Sequence, residues 1–372
     1  MQRFDEEAGP RVAAIVSIVE TCRRLEIPVV SSRNSLESSK ELTLVLGVAS
    51  WTGSDKIRPL VDRMSESIPT TLDWAHRSIS IAIISRGRPG ILDDTLESIF
   101  RQSQQPQQVI VVVPTVEDVP RRSWGESVQF IVGPHGGCVQ RNKALEAIPL
   151  SVDYVGFFDD DIELRVDFLE QATLFMRRNP TTIAFSGHLL ADGNGVTRAE
   201  ARGLLAHHTH GENLNGLFRC KGKFHSLHGC NMIVRRSILD YERFDENLPL
   251  YSFAEDYDLS MRLERYGNIG KFGLCIGVHL ASPGGRVREV LRGYSFVANP
   301  WYFLKKGTVH LPPFLAWVRF WLAVFAKTFL FTLWKVLTRD RSLDWAGRLK
   351  GILLAFQDIV LGRSHPRRIL EL

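Results

Sequence analysis

Apolar, β-branched segments alternate with helix-like segments between residues 78 and 158, and this alternation limits the possible folds more than any other feature. Ser78–Ile84 alternates and is rich in isoleucine, and Val109–Val113 is an unbroken apolar run. Apolar strands separated by helices are typical of a mostly parallel sheet that is buried on both faces. We therefore predict an α/β fold. The predicted strands are Ser78–Ile84, Val109–Val113, Val128–Val132 and Tyr154–Phe158, and the predicted helices are Leu92–Gln104 and Cys138–Ala147.

Length and composition indicate a globular chain of more than one domain. Its 372 residues exceed the roughly 150 expected per domain. Hydrophobic residues make up 44% and charged residues 23%, which excludes wholesale disorder and collagen-like repeats. The five cysteines include no C-x-x-C pair, so we expect a reducing compartment rather than a disulfide scaffold. The sequence begins with acidic residues, and its first apolar run, Val12–Val19, is short, so we expect no signal peptide.

We divide the chain into three parts. Residues 1–77 form an N-terminal extension of unknown role, residues 78–308 the α/β domain, and residues 309–372 a basic tail. Within the extension, the residue pattern suggests a helix at Arg11–Leu25 and strands at Pro28–Val30 and Leu42–Val48.

The positive charge of the chain lies in the tail. The whole chain carries +5, whereas residues 309–372 hold ten basic and four acidic residues. A nucleic-acid partner for the main body is therefore not expected. Leu311–Leu337 is apolar, but Arg319, Lys327 and Lys335 interrupt it, leaving runs far shorter than the ~18 residues of a clean membrane span.

This pattern predicts an amphipathic helix that lies in the interface of an anionic membrane. A second amphipathic helix follows. Its apolar face carries Leu349, Ile352, Leu353, Phe356 and Ile359. The alternative is a pair of helices that cap the catalytic domain.

The strand from Tyr154 ends in three consecutive carboxylates, Asp159, Asp160 and Asp161. Adjacent carboxylates repel one another and need a compensating cation. Hard divalent ions such as Mg²⁺ or Mn²⁺ prefer oxygen ligands and often share them with phosphates. Ligands of α/β sheets bind beyond the carboxyl ends of the strands. The triplet therefore predicts a metal and phosphate site at this edge.

A second acidic pair, Glu255 and Asp256, precedes the apolar residues Leu259 and Leu263 and falls on the first turn of a predicted helix. The helix dipole favours carboxylates there, which by itself could explain the pair. The dipole also keeps Asp256 ionised, so burial would be needed to raise its pKa towards that of a general base.

With these elements in order, residues 78–308 resemble the family 2 inverting glycosyltransferases, which have the GT-A fold. The matching motifs are Ser85-x-x-Arg88-Pro89, Thr95-Leu-Glu-Ser98-Ile-x-x-Gln102, Gln140-Arg141-Asn142, Asp159-Asp160-Asp161, Phe244-Asp245-Glu246, Glu255-Asp256-x-Asp258-Leu-Ser-x-Arg262-Leu263, and His279 after the strand-like Gly273–Val278.

The resemblance implies roles for these residues. Asp161 and Asp159, with His279 as a third ligand, would hold Mg²⁺ or Mn²⁺ at the donor diphosphate. Asp256, with Glu255 beside it, would deprotonate the acceptor hydroxyl, and a single displacement would invert the sugar. The donor contacts implied are Ser85, Arg88, Arg141, Asn142 and Asp160, with Asp160 near the ribose.

The resemblance also implies the partners. The donor would be a UDP-, dTDP- or GDP-linked sugar. The acceptor would be a glycan or lipid-linked glycan of polysaccharide or cell-envelope synthesis, at the cytoplasmic face of the membrane. The family usually places a base-reading Asp after the second strand. Here Pro114-Thr115-Val116 follows, so Glu117 or Asp118 would have to take its place.

Other functions fit the sequence less well. A sugar nucleotidyltransferase shares a similar sheet but needs a glycine-rich phosphate loop, which Ser85–Pro89 matches poorly. A non-catalytic membrane-associated scaffold would need neither acidic cluster. The series His225-x-x-His228-x-Cys230 matches no standard zinc spacing. A processive synthase would need several spans.

Overall fold

The structure is a computed structural model that describes residues 78–193, 195–208, 217–219, 226–282, 284, 287–308 and 312–372. The helix predicted at Arg11–Leu25 and the strands predicted at Pro28–Val30 and Leu42–Val48 lie outside the described residues. Arg77–Leu372 form one compact unit.

The first four strands form the parallel sheet that the sequence predicts. They are β1 (Ile79–Ile84), β2 (Gln108–Val113), β3 (Val128–Val132) and β4 (Tyr154–Asp159). Strand β1 pairs in parallel with β2 and β4, and β2 pairs in parallel with β3. Side chains of a strand point alternately to its two faces. Ile81 accordingly packs into the core on one face and Ala82 into the core on the other. Burial of both faces is therefore confirmed.

The remaining strands make the sheet mixed. They are β5 (Ile162–Leu164), β6 (Thr182–Asp192), β7 (Leu217–Arg219), β8 (Asn231–Arg235) and β9 (Asn268–His279). The order is β3-β2-β1-β4-β8-β6-β9-β5, with β7 beside β9. Strand β8 is antiparallel to β4 and β6, and β5 and β7 are antiparallel to β9, whereas β6 and β9 are parallel. The predicted parallel arrangement thus ends at β4.

Six helices accompany the sheet. They are α1 (Pro89–Phe100), α2 (Gly137–Ala147), α3 (Phe168–Arg178), α4 (Arg198–His207), α5 (Glu255–Leu263) and α6 (Glu289–Lys306). Helix α1 begins earlier than predicted because a proline fits the first turn, where no helical partner for its nitrogen is needed. Helix α2 agrees closely with the prediction, and α5 begins at Glu255 as the acidic pair predicts.

The C-terminal region contains two different helical parts. Helix α7 (Pro313–Trp321), a π-helical segment (Leu322–Leu330) and α8 (Phe331–Leu337) follow one another, and α9 (Trp345–Val360) comes next. Helix α9 packs closely on α6, since a Cβ added at Gly351 would lie 1.9 Å from the Val290 carbonyl oxygen. This helix therefore packs against the body of the protein, as the alternative of a packing cap requires.

The helix before α9 is exposed. Phe314, Leu322 and Leu337 are 72%, 64% and 72% exposed. Within the described part of the chain, Phe314–Leu337 is the one helix long and apolar enough to cross a membrane, by length and composition alone. Contact of this helix with lipid stays a prediction.

Candidate active site

A cavity of about 640 Å³ opens at the carboxyl ends of β1 and β4, beside the first turn of α5. Both acidic clusters line it. Of the residues predicted for the site, Asn142, Glu117 and Asp118 are not in the cavity wall. The predicted residues that line it are Ser85, Arg88, Arg141, Asp159, Asp160, Asp161, Glu255, Asp256 and His279.

Asp160 is buried, as is Asp161, whereas Asp159 is partly exposed. The Ser85 hydroxyl donates to its Oδ2 at 2.5 Å, and Arg88 forms an ion pair with its carboxylate. The Thr95 hydroxyl donates to its backbone carbonyl at 2.7 Å, which fixes the turn after β4 against α1. Burial raises the pKa of Asp160 to about 7, although the charge of Arg88 opposes this shift.

Asp161 contacts a different set of residues from Asp160. Its Oδ2 accepts the Ser282 backbone N–H at 2.7 Å and contacts Arg88 at 3.2 Å. Its Oδ1 is buried and accepts no hydrogen bond of good geometry, and His279 Nε2 lies 3.2 Å from it. Burial acts to raise the pKa of Asp161, but the hydrogen bond and charge of His279 and the charge of Arg88 outweigh it and lower this pKa.

Asp159, Asp161 and His279 together form a metal-type cluster. One ligand atom from each lies within 4.8 Å of the others. The unpartnered Oδ1 of Asp161 faces this point, and two carboxylates with one imidazole suit a divalent ion. Burial lowers the pKa of His279, but Asp161, Asp159 and Asp192 outweigh it and raise this pKa to about 9. A metal would therefore displace a proton on binding. These residues fit the ion that the sequence predicts.

Arg141 joins the two acidic clusters. It is only 4% exposed. Its guanidinium forms an ion pair with Glu255, contacts Asp159 at 3.0 Å and donates to the Gly229 carbonyl at 3.3 Å. Removing one partner of a buried ion pair is costly, so loss of Arg141 would leave both carboxylates without this cation. Arg141 thus reaches the cavity, but in this structure its guanidinium contacts carboxylates and a carbonyl.

Asp256 lies in the same wall and forms no ion pair with the part of the chain that the structure describes. Its two oxygens accept the backbone N–H groups of Gly229 at 3.1 Å and of Tyr257 at 2.8 Å. The surrounding protein removes water from the carboxylate, and this burial raises the pKa of Asp256, although the two hydrogen bonds oppose the shift. Burial thus supplies the raised pKa that a general base at a helix start requires.

The backbone entering α5 is strained. Leu250, Ser252 and Ala254 have φ values of 56°, 52° and 64°. Left-handed backbone costs an L-residue roughly 1–2 kcal/mol. Gly137 N–H donates to the Leu250 carbonyl at 2.9 Å, and the Ser252 hydroxyl accepts from Cys138 N–H at 3.1 Å. The start of α2 therefore holds the segment that positions Glu255 and Asp256.

Two predicted contacts lie elsewhere. The Asn142 amide donates to the Phe244 carbonyl and to Glu246, both at 2.9 Å, and its oxygen accepts Phe244 N–H at 3.0 Å. Asn142 therefore holds the loop Phe244-Asp245-Glu246. Asp118 accepts the Gly87 N–H at 2.5 Å and does not line the cavity, whereas Glu117 is exposed. Asp118 thus supports the loop between β1 and α1.

Sequence reasoning missed several residues of the wall. Arg86 contacts His135 at 2.8 Å, and Arg292 lies over the Tyr251 ring, 5.2 Å from its centroid. Asp192 hydrogen-bonds the ring of His279. None of these residues belongs to a local motif. Among the described residues, no cluster of potential metal ligands other than Asp159, Asp161 and His279 is present, and His228 and Cys230 form no such group.

Comparisons with known proteins agree with this geometry. The model of the family Glycosyl transferase family 2 matches residues 80–242. No curated protein matches the sequence significantly.

Several solved structures share the general fold. TarS 1–349 of S. aureus is 15% identical, with a TM-score of 0.47, over 78% of this chain and 82% of that chain. The same protein in complex with UDP-GlcNAc is 16% identical, with a TM-score of 0.47, over 78% of this chain and 82% of that chain. GalNAc-T7 with UDP, GalNAc and Mn²⁺ is 12% identical, with a TM-score of 0.45, over 65% of this chain and 52% of that chain.

No residue role is taken from structures at this level of similarity. The family match covers the strands and helices that build the cavity as far as the aspartate triplet and β8. Residues 80–242 of the chain therefore carry a glycosyl transferase family 2 domain, and the activity that this match supports is glycosyl transfer.

Proposed function

We propose that the protein is a metal-dependent, inverting glycosyltransferase that moves a sugar from a UDP-, dTDP- or GDP-linked donor to a hydroxyl of a glycan or lipid-linked glycan. One observation carries the proposal. A metal-type cluster and a half-buried carboxylate, Asp256, which forms no ion pair with the described residues, line the same cavity. Transfer from a sugar diphosphate needs both a site for the diphosphate charge and a base for the acceptor.

Asp159, Asp161 and His279 would hold the metal, which when bound supplies electrostatic stabilisation of the leaving diphosphate. Asp160 is already paired with Ser85 and Arg88, so it acts on the shape of the donor site rather than as a further ligand. Arg86 and Arg88 add positive charge to the wall near the triplet. This placement suits a donor with a negatively charged diphosphate.

Asp256 is the better candidate for the base than Glu255. Burial raises the pKa of Glu255 to about 7, although the charge of Arg141 opposes this shift, and the ion pair with the buried Arg141 occupies its carboxylate. Asp256 accepts only backbone N–H groups and has a raised pKa because of burial. It takes the acceptor proton while the acceptor oxygen bonds to the anomeric carbon. The bond from that carbon to the diphosphate breaks with both electrons leaving on the nucleotide, which inverts the centre in one step.

A panel of nucleotide sugars tests this function. We expect hydrolysis or transfer of one donor class with Mn²⁺ or Mg²⁺, no turnover in EDTA, and weaker donor binding by Asp161→Asn with metal but unchanged binding without it. The conservative control is Asp240→Asn, because Asp240 pairs with Arg236 outside the cavity wall. Full activity in EDTA would contradict the metal dependence. Release of diphosphate from a nucleoside triphosphate and sugar phosphate would instead support a nucleotidyltransferase.

The acceptor side of the cavity is linked to the exposed apolar helix. Tyr257, next to the proposed base, lines the cavity, and Arg319 of α7 lies 3.4 Å from its hydroxyl. The residues that flank Arg319 along the helix, Phe314, Trp317 and Leu322, are exposed. We propose that this helix rests on an anionic membrane at the cytoplasmic face and that residues 309–372 bring the cavity to a lipid-linked acceptor.

Vesicle binding tests the membrane contact. The full chain should sediment with anionic vesicles, and salt should release only part of it, because the basic residues contribute roughly 1 kcal/mol each and are screened, whereas the apolar face is not. Extraction by alkaline carbonate would support a helix lying on the surface, and retention would support a spanning helix. No binding to vesicles at any salt concentration would contradict membrane association and leave a soluble glycan as the acceptor.

A further inference from the structure

Asp192 is placed beside the metal-type cluster by the backbone. It ends β6 and is the register partner of His279, which ends β9. Gly193 N–H donates to the His279 carbonyl at 2.8 Å and holds the two strand ends together. A register shift between Leu189 and Asp192 brings the carboxylate to this position. Irregular pairing of this kind at a strand end often re-aims a side chain near a site.

The carboxylate of Asp192 contacts one ring nitrogen of His279, and the other nitrogen faces the cluster. Asp192 Oδ1 lies 2.7 Å from Nδ1, while Nε2 lies 3.2 Å from Asp161 Oδ1 and 3.8 Å from Asp159 Oδ2. A neutral imidazole has one N–H and one lone pair. Once a metal has displaced the second proton of the ring, a carboxylate at Nδ1 selects the neutral form with hydrogen on Nδ1, which leaves the Nε2 lone pair for the ion between Asp159 and Asp161.

We propose that Asp192 is a positioning residue that orients His279 and sets its tautomer for a divalent metal held with Asp159 and Asp161. The proposal rests on the metal dependence proposed above. Carboxylate partners of ligand histidines also increase the basicity of the ligand, and their loss commonly weakens metal binding 10–100-fold. None of the sequence motifs contains Asp192, and the family match to residues 80–242 assigns it no role.

The second oxygen of Asp192 extends this contact towards the acceptor side. Asp192 Oδ2 lies 3.6 Å from His228 Nε2, and the His228 N–H donates to the Ser186 hydroxyl at 2.6 Å. The next residue, Gly229, donates its N–H to Asp256. A purely structural role, in which Asp192 serves to hold the His228 segment, is therefore the competing explanation that an experiment must separate.

Titration of the full-length protein with Mn²⁺ alone, followed by electron paramagnetic resonance of the free ion, measures the metal affinity without donor or turnover. We expect Asp192→Asn to weaken Mn²⁺ binding about 10–100-fold, and Asp192→Glu to restore most of it. His228→Gln, which removes only the competing contact, and Asp240→Asn, which removes a carboxylate outside the cavity, should bind Mn²⁺ like the wild type. The melting temperature of Asp192→Asn in EDTA should equal that of the wild type.

The possible results separate the two proposals. If wild-type protein binds no Mn²⁺, the metal dependence itself fails, and the role of Asp192 fails with it. If Asp161→Asn abolishes binding while Asp192→Asn binds like the wild type, the metal site stands and the role of Asp192 is overturned. A structural role would show two results together: Asp192→Asn would melt at a lower temperature than the wild type in EDTA, and Asp192→Glu would not restore Mn²⁺ binding. These results would overturn the proposed positioning role of Asp192.

Discussion

Replacing Asp256 by Asn tests the assignment of the base most directly, because it keeps the shape of the side chain and removes its proton affinity. The structure sets the expected cost to stability. Both carboxylate oxygens accept a backbone N–H, from Gly229 and Tyr257. An amide has one acceptor oxygen, so one N–H would lose its partner at about 1–3 kcal/mol. The neutral amide also removes a charge whose burial is unfavourable, which offsets part of this cost.

The expected effect on catalysis is much larger. Loss of a general base lowers the rate about 10²–10⁴-fold, and a 100-fold loss corresponds to about 2.7 kcal/mol of barrier. Donor binding, measured by calorimetry with Mn²⁺, should stay within about twofold because Asp256 is not part of the metal-type cluster. Equal loss of donor binding and transfer, or transfer above a tenth of the wild-type rate, would refute the assignment.

The pH dependence gives a second check with a defined sign. Burial raises the pKa of Asp256, so the wild-type kcat/KM should rise with pH through a value above the ordinary ~3.9 of Asp. The same shift means that ionised Asp256 is less favourable in the folded state. Its contribution to stability therefore falls as pH rises from ~3.9 through the raised pKa. The Asn variant should lose this rise in rate and gain stability relative to the wild type across that window.

Glu255→Gln is the matched comparison. It lies next to Asp256 but breaks the ion pair with Arg141, which is 4% exposed. Leaving a buried charge without its partner typically costs 3–5 kcal/mol. This variant should therefore lose stability first and activity with it, whereas Asp256→Asn should lose activity with little change in melting temperature. The reverse pattern would assign the base to Glu255.

Four further variants test the fold. Gly351→Ala should destabilise the protein by about 1–3 kcal/mol in denaturant unfolding because its Cβ meets α6, whereas Gly203→Ala, with open space in α4, should gain about 0.5–1 kcal/mol. Asn142→Ala should lower the melting temperature while donor affinity stays unchanged. Weaker donor binding with an unchanged melting temperature would instead show that Asn142 contacts the donor. Tyr294→Phe leaves the buried Asp358 without a 2.8 Å hydrogen bond and should cost about 1–3 kcal/mol in the same unfolding assay.

The parts of the fold that the sequence predicts are those with strong local signals. β1 and β4 are found within one residue of their predicted limits because apolar residues dominate both segments. The first turn of α5 is found at Glu255 because the apolar stripe of Leu259 and Leu263 fixes the phase of the helix. Parallel strand ends meet at one edge, so the position of the triplet at the cavity also follows from the sequence.

The features that the sequence does not predict depend on contacts between segments that are distant along the chain. Asp192 reaches His279 through strand register across 87 residues, and Arg141 reaches Glu255 across 114. The antiparallel strands β5 and β8 are set by tertiary pairing rather than by their own composition. Left-handed backbone at Leu250 is invisible in the sequence because leucine rarely adopts it. Local propensity carries no information about these features.

The aspartate triplet also shows why three adjacent acids are weaker evidence for a metal than their number suggests. Each aspartate has its own cation in this structure: Asp159 contacts Arg141, Asp160 pairs with Arg88, and Asp161 lies beside His279. Much of the repulsion between them is therefore neutralised by side chains of the protein. The case for a metal rests instead on geometry, namely the buried, unpartnered Oδ1 of Asp161 facing Asp159 and His279. Replacing Asp160 should consequently disturb folding near Arg88 before it changes Mn²⁺ affinity.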